Sequence, residues 1–139
     1  MGVNLTYLDG EQGVVFSCYG LSTGDELKDA LRRVTKKESM EKLKYALIDE
    51  TAVTSYSRTG FDTLDFVKLH KYISASVHDD AIVAVVAPSQ EGFGLALAWE
   101  IEVAEVGWVT KSFKVKKDAE AWIKEQMKEL FKTDIKFTK

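Results

Sequence analysis

Apolar and polar positions along this chain alternate, run together and recur at helical spacing in a regular succession. VNLTYL and VVFSCYG flank Asp9-Gly10-Glu11-Gln12-Gly13, and two β-rich runs about a Gly/Asp turn predict a hairpin. In the second run Val14, Phe16 and Cys18 alternate with Val15, Ser17 and Tyr19, the period of a half-covered strand. Thr23 and Glu26 then have the spacing of a capping box, and Leu27, Ala30, Leu31 and Val34 follow as a helical stripe. KYALID, residues 44–49, predicts an interior strand. SYSRTG, residues 55–60, predicts a connection, and residues 59–77 predict a helix with Phe66, Leu69, Ile73 and Val77 on one side.

AIVAVVAP, residues 81–88, is almost uniformly apolar, which marks a strand covered on both faces and so a parallel sheet between helices. A helix over about 91–106 comes next, then the strand WVTKSFKV. KDAEAWIKEQMKEL closes as a helix with Ala119, Trp122, Ile123, Met127 and Leu130 facing inwards. Residues 132–139 are expected as a short edge strand or a frayed tail. The order β-β-α-β-α-β-α-β-α predicts one α/β domain over residues 1–139. Its sheet is mostly parallel with an antiparallel edge strand, and it carries four helices.

The 91–106 helix has a second consequence. At about 100° per residue, Phe93, Leu97, Ile101 and Ala104 form one apolar face, and Leu95, Trp99, Val103 and Val106 form another nearly opposite. One face must cover the sheet, which leaves the other for a neighbouring helix, a second subunit or an apolar ligand. Phe61 and Leu64 fall off the main stripe of the preceding helix, so the two helices are expected to face each other across a groove. The residues singled out for an apolar ligand or an interface are Phe61, Leu64, Leu95, Trp99, Val103 and Val106.

Charge changes this picture little. A formal net charge of −3 gives no global attraction to nucleic acid. From Lys111 onward there are nine lysines against five acids, a local +4 against −7 on the first 110 residues, which predicts a mildly basic C-terminal surface. The single cysteine, Cys18, excludes an intramolecular disulfide and falls where a small buried hydrophobe belongs. The N-terminus lacks the layout of a secretion signal, and no apolar run approaches the length of a membrane span, so a soluble cytoplasmic protein is expected.

Candidate chemistry is sparse. Gly92-Phe93-Gly94 lacks the lysine of a phosphate loop and follows Glu91, so close helix-to-sheet packing accounts for these glycines. His70 and His78 have no third ligand at metal spacing, and no serine lies in a nucleophile elbow. No cofactor, metal or catalytic residue is expected. The best carboxylate pair, Asp49 and Glu50, ends a predicted strand at the edge where α/β sites form, and it carries the alternative reading of a small enzyme.

The element order, with ALID followed by TAVTSYSRTGFDTL, resembles the STAS domains of sulfate-transporter tails and anti-sigma-factor antagonists, the SpoIIAA-like fold. The stretch from IVAVVAPSQEGFG to the Ala119, Ala121 and Trp122 helix is similar to stand-alone bacterial STAS-like proteins. The resemblance implies a regulatory or binding module with a protein partner, of the anti-sigma-factor kind or another regulator, and a homodimer. It also implies kinship with lipid-transfer domains of the CRAL-TRIO type, hence the alternative of a lipid-like carrier for a small hydrophobic ligand. In the antagonists an Asp-Ser pair before a glycine carries the phosphorylated serine. On that pattern Ser57 stands at the aspartate, Arg58 at the phosphoacceptor and Gly60 at the glycine. Arginine cannot accept phosphate, whereas Ser57 and Thr59 offer hydroxyls beside a helix start. Ser57, Arg58, Thr59, Gly60 and Asp49 are the binding or switch candidates, and helix capping by Ser57 or Thr59 is the plain alternative.

Overall fold

The protein is seen in a computed structural model that describes residues 2–36, 41–57, 80–104 and 107–139. The hairpin expected at the N-terminus forms β1 (Gly2–Leu8) and β2 (Gly13–Thr23), paired antiparallel from Gly2↔Tyr19 to Leu8↔Gly13. Its turn takes positive φ at three successive residues, Asp9 (52°), Gly10 (66°) and Glu11 (67°), the left-handed backbone that Asp and Gly tolerate best. β3 (Tyr45–Ser57), β4 (Ile82–Val86) and β5 (Val109–Phe113) then add in sequence, each parallel to the one before, giving the sheet order β1-β2-β3-β4-β5. This is the mostly parallel sheet with an antiparallel edge that the hydrophobic pattern predicts.

Three helices lie among the described residues: α1 (Gly24–Thr35), α2 (Gln90–Val103) and α3 (Lys116–Phe131). The helix expected over 59–77 falls outside them. α1 begins as its capping box requires, with the Thr23 hydroxyl accepting from the Glu26 N–H at 3.3 Å. Strand alternation sorts the core into two layers. Val14, Phe16, Cys18, Val83 and Val85 pack with α1 and α2, whereas Tyr45, Leu47, Ile82, Ala84 and Val86 pack with α3 through Ala119, Ile123 and Met127. β4 is buried along its whole length, as expected of a strand between two helical layers, and Cys18 is buried. On α3 the inward stripe is narrower than predicted. Leu130 is exposed, and Phe131 packs on the core in its place.

Residues 132–139 form no strand, yet they are held. Ile135 is buried, the Asp9 N–H donates to the Thr138 carbonyl at 2.6 Å, and Phe137 meets the Tyr45 ring edge-on at 5.7 Å between centroids. Asp9 organises this end of the molecule. Its carboxylate accepts from the Tyr45 hydroxyl at 2.6 Å and from the Lys136 N–H at 3.2 Å. Burial first, then the bond and charge of Asp9, push the Tyr45 phenol well above its ordinary range, so it stays a donor at every physiological pH.

Candidate functional site

β3 is longer than the sequence pattern suggests. KYALID accounts for its first half, and TAVTSYS continues the strand to Ser57 along Leu21, Ser22 and Thr23 of β2. Thr, Val and Tyr favour a pleated surface, so the segment pairs where a polar connection was expected. Asp49 and Glu50 therefore lie in mid-strand and not at its end. They are also buried, at 7% and 3% exposure.

The reason lies in the register. Ser17 pairs with Asp49, but Tyr19 pairs with Ala52, so β3 carries an extra residue at this point, and a second irregularity follows between Gly20 and Leu21. A bulge takes a backbone N–H out of the ladder. The Thr51 N–H donates instead to the Asp49 carboxylate at 3.0 Å, and the second carboxylate oxygen lies 3.1 Å from the Lys116 ammonium at the start of α3. Burial pushes the Asp49 acid upwards. The Thr51 N–H, the Thr51 hydroxyl and Lys116 together outweigh it and hold the carboxyl below its ordinary value. A carboxylate stabilised as an anion and committed to three partners is a weak proton acceptor. Among the described residues no group of three His, Cys, Asp or Glu side chains is arranged to hold a metal.

Of the switch candidates, Ser57 is exposed and pairs in register with Thr23, the N-cap of α1. Arg58, Thr59, Gly60, Phe61 and Leu64 lie outside the described residues, as do Val106, His70 and His78. One residue earlier, Tyr56 lies so close to Gly92 in the first turn of α2 that a Cβ there would overlap its phenol. The expected close-packing role thus fits Gly92, whereas Gly94 has nothing within 4 Å of where its Cβ would stand. The end of β3, the start of α1 and the start of α2 meet at one edge of the sheet.

α2 is two-faced, as its sequence predicts, and the structure shows which face turns inwards. Gly92, Ala96, Trp99 and Val103 are buried against the sheet, with Leu95 half-buried. Trp99 and Val103, candidates for a ligand or interface, belong to the core cluster of α1 and β2. Leu97 at 43% and Ile101 at 75% exposure form the outward face. The deciding signal was the small pair Gly92 and Ala96, four residues apart beside Trp99. Small residues let the helix axis approach the sheet, and the indole then fills the space beyond them. Phe93 is half-buried under the Lys114 ammonium, 5.1 Å from its ring centroid, and Glu100 accepts from the Ser112 hydroxyl of β5 at 2.8 Å.

A cavity of about 50 Å³ opens elsewhere, between α1, the sheet and Trp108, with Phe16, Leu31, Val34, Leu43 and Ile48 among its walls. Its lining is apolar, and none of Leu95, Trp99 or Val103 takes part in it. An apolar cavity that accepts benzene measures about 150 Å³, so this one holds a few heavy atoms and no lipid chain.

Neither a protein-family model nor a curated protein matches the chain in sequence. Solved structures do. An uncharacterised DUF3478-family protein with a SpoIIAA-like fold from Shewanella loihica superimposes with a TM-score of 0.53 at 18% identity, over 87% of this chain and 93% of its own. The anti-sigma factor antagonist SpoIIAA in its unphosphorylated form superimposes with a TM-score of 0.51 at 9% identity, over 88% of this chain and 97% of its own. At these identities the likeness establishes the SpoIIAA-like fold.

Proposed function

We propose that this chain is a non-enzymatic STAS-like binding module that regulates a protein partner by docking it on the outward face of α2. The observation that carries the reading is the exposure of Leu97 and Ile101 on a helix whose other side already covers the sheet. Leu97 and Ile101 stand one turn apart, so two large aliphatic side chains share one exposed face, and contiguous apolar surface is what marks an interaction site. The SpoIIAA-like fold supports a regulatory role, since the antagonist sharing it acts on an anti-sigma factor. The commitment of Asp49 to Thr51 and Lys116 weighs against the small-enzyme alternative. The apolar cavity between α1, the sheet and Trp108 is itself too small for a lipid-sized ligand.

Ser57 keeps a place in this reading. It is an exposed hydroxyl paired in register with Thr23, so a phosphate there would stand beside the N-terminus of α1. Native mass spectrometry of the chain purified gently from its own host tests the proposal. The expected result is a protein complex of defined stoichiometry and no small-molecule adduct. A bound hydrophobic mass without a protein partner overturns it, and so does a bare monomer.

A further inference from the structure

β1 is an edge of the sheet, and among the described residues its one strand neighbour is β2. Two bonds show which of its backbone groups look outwards. The Val3 carbonyl accepts from the Arg33 guanidinium at 3.3 Å, and the Asp9 N–H donates to the Thr138 carbonyl at 2.6 Å, and neither partner belongs to β2. A strand repeats every second residue, so Leu5, in step with Val3 and Asp9, also turns its N–H and C=O away from β2.

Natural edge strands are guarded by brevity, charge, proline or a bulge. β5, at the opposite edge, is five residues long and carries Lys111. β1 is seven residues long, GVNLTYL, with no charge and no proline, and it pairs with β2 without a register shift. On its α1 side Val3 and Leu5 are only half-buried, and on the other side Asn4 is exposed. We propose that β1 pairs antiparallel with β1 of a second copy of this chain, about a two-fold axis at Asn4. Val3 of each copy then exchanges main-chain bonds with Leu5 of the other and packs against it, and the two Asn4 side chains stand opposite each other.

Closure selects a second copy over an unrelated strand. The pairing uses up both open edges and joins two five-stranded sheets into one that ends in β5 on each side. The strand brings no charge to the seam, and each Arg33 beside it keeps Asp29 as a counter-charge at 3.2 Å. The C-terminal segment holds the edge at Asp9, beyond the paired stretch. α2 packs on β5, at the far side of the sheet, so its outward face does not compete.

Sedimentation equilibrium of the full chain over a range of concentrations tests the inference, and a reversible dimer is expected. Asn4→Lys sets two ammonium groups opposite each other at an exposed position and should weaken the dimer at least ~5-fold. Asn4→Asp should do the same, and an equimolar mixture of the two variants should recover association as a heterodimer. Leu5→Pro removes an N–H that β2 does not use and should abolish the dimer. Circular dichroism checks that each variant is folded. Ile101→Asp, on α2, should leave the dimer unchanged. A chain that stays monomeric overturns the inference. So does a dimer indifferent to Asn4→Lys, a mixture that recovers nothing, or a dimer lost with Ile101→Asp.

Discussion

Replacing Asp49 distinguishes a carboxylate that holds the fold from one that performs chemistry. Asp49→Ala removes the acceptor of the Thr51 N–H and the partner of Lys116, and it empties a buried position. Leaving a buried donor unpaired costs about 1–3 kcal/mol. The low end applies here, because Thr51 itself is exposed and water can reach its backbone. The ion pair adds little more, about 0.2–1 kcal/mol, since the Lys116 side chain is 47% exposed and relaxes into solvent. Asp49→Ala should therefore destabilise by about 1–2 kcal/mol. Asp49→Asn keeps an acceptor of the same shape for the bulge and loses only the charge, so it should cost about 1 kcal/mol or less. Urea unfolding followed by circular dichroism reads both values, with an unchanged m-value expected. The ordering alanine worse than asparagine by about 1 kcal/mol is the test. Equal losses would mean that the bulge does not depend on this acceptor, and the structural account of Asp49 would fail.

Further expectations follow from the same geometry. The Asp49 acid is held below its ordinary 3.8, so its contribution is present above that value and is lost as pH falls through the lower folded value. The stability gap between wild type and Asp49→Asn should stay constant from pH 7 to about 5 and close below about pH 4, read by urea unfolding across pH. Gly13→Ala would drive a Cβ into the Tyr45 ring, which is fully buried, bonded to Asp9 and packed on Phe137, so a loss of about 3 kcal/mol or more is expected by thermal or urea unfolding. Gly94→Ala meets nothing within 4 Å and lies in a helix, so it should stabilise by about 0.5–1 kcal/mol in the same assay. Thr23→Ala removes the cap of α1 and should cost about 1 kcal/mol.

Much of the fold was legible because the strongest patterns reflect burial. A continuous apolar run could only be β4, and alternation placed Val14, Phe16 and Cys18 on one face. The extent of β3 was not legible. Its second half is exposed and polar, pairs only with β2 beyond the end of β4, and carries bulges that break the period-two pattern. The burial of Asp49 escaped the sequence for the same reason, because its partners Thr51 and Lys116 come together through a local bulge and a distant helix start. On α2 periodicity revealed two apolar faces but carried no preference between them. Weighing Gly92 and Ala96 as sheet-contacting residues would have turned Trp99 inwards and left Leu97 and Ile101 outside.

Hydroxyl-radical footprinting of the native assembly against the isolated chain tests the central claim most directly. Leu97 and Ile101 are the reporters, and Tyr19, Val115 and Leu130, large apolar side chains exposed elsewhere, are internal controls. The account predicts that oxidation of Leu97 and Ile101 falls several-fold in the assembly while the controls label as before. Equal labelling of Leu97 and Ile101 in both samples, or protection centred on Val115 and Leu130, would contradict it.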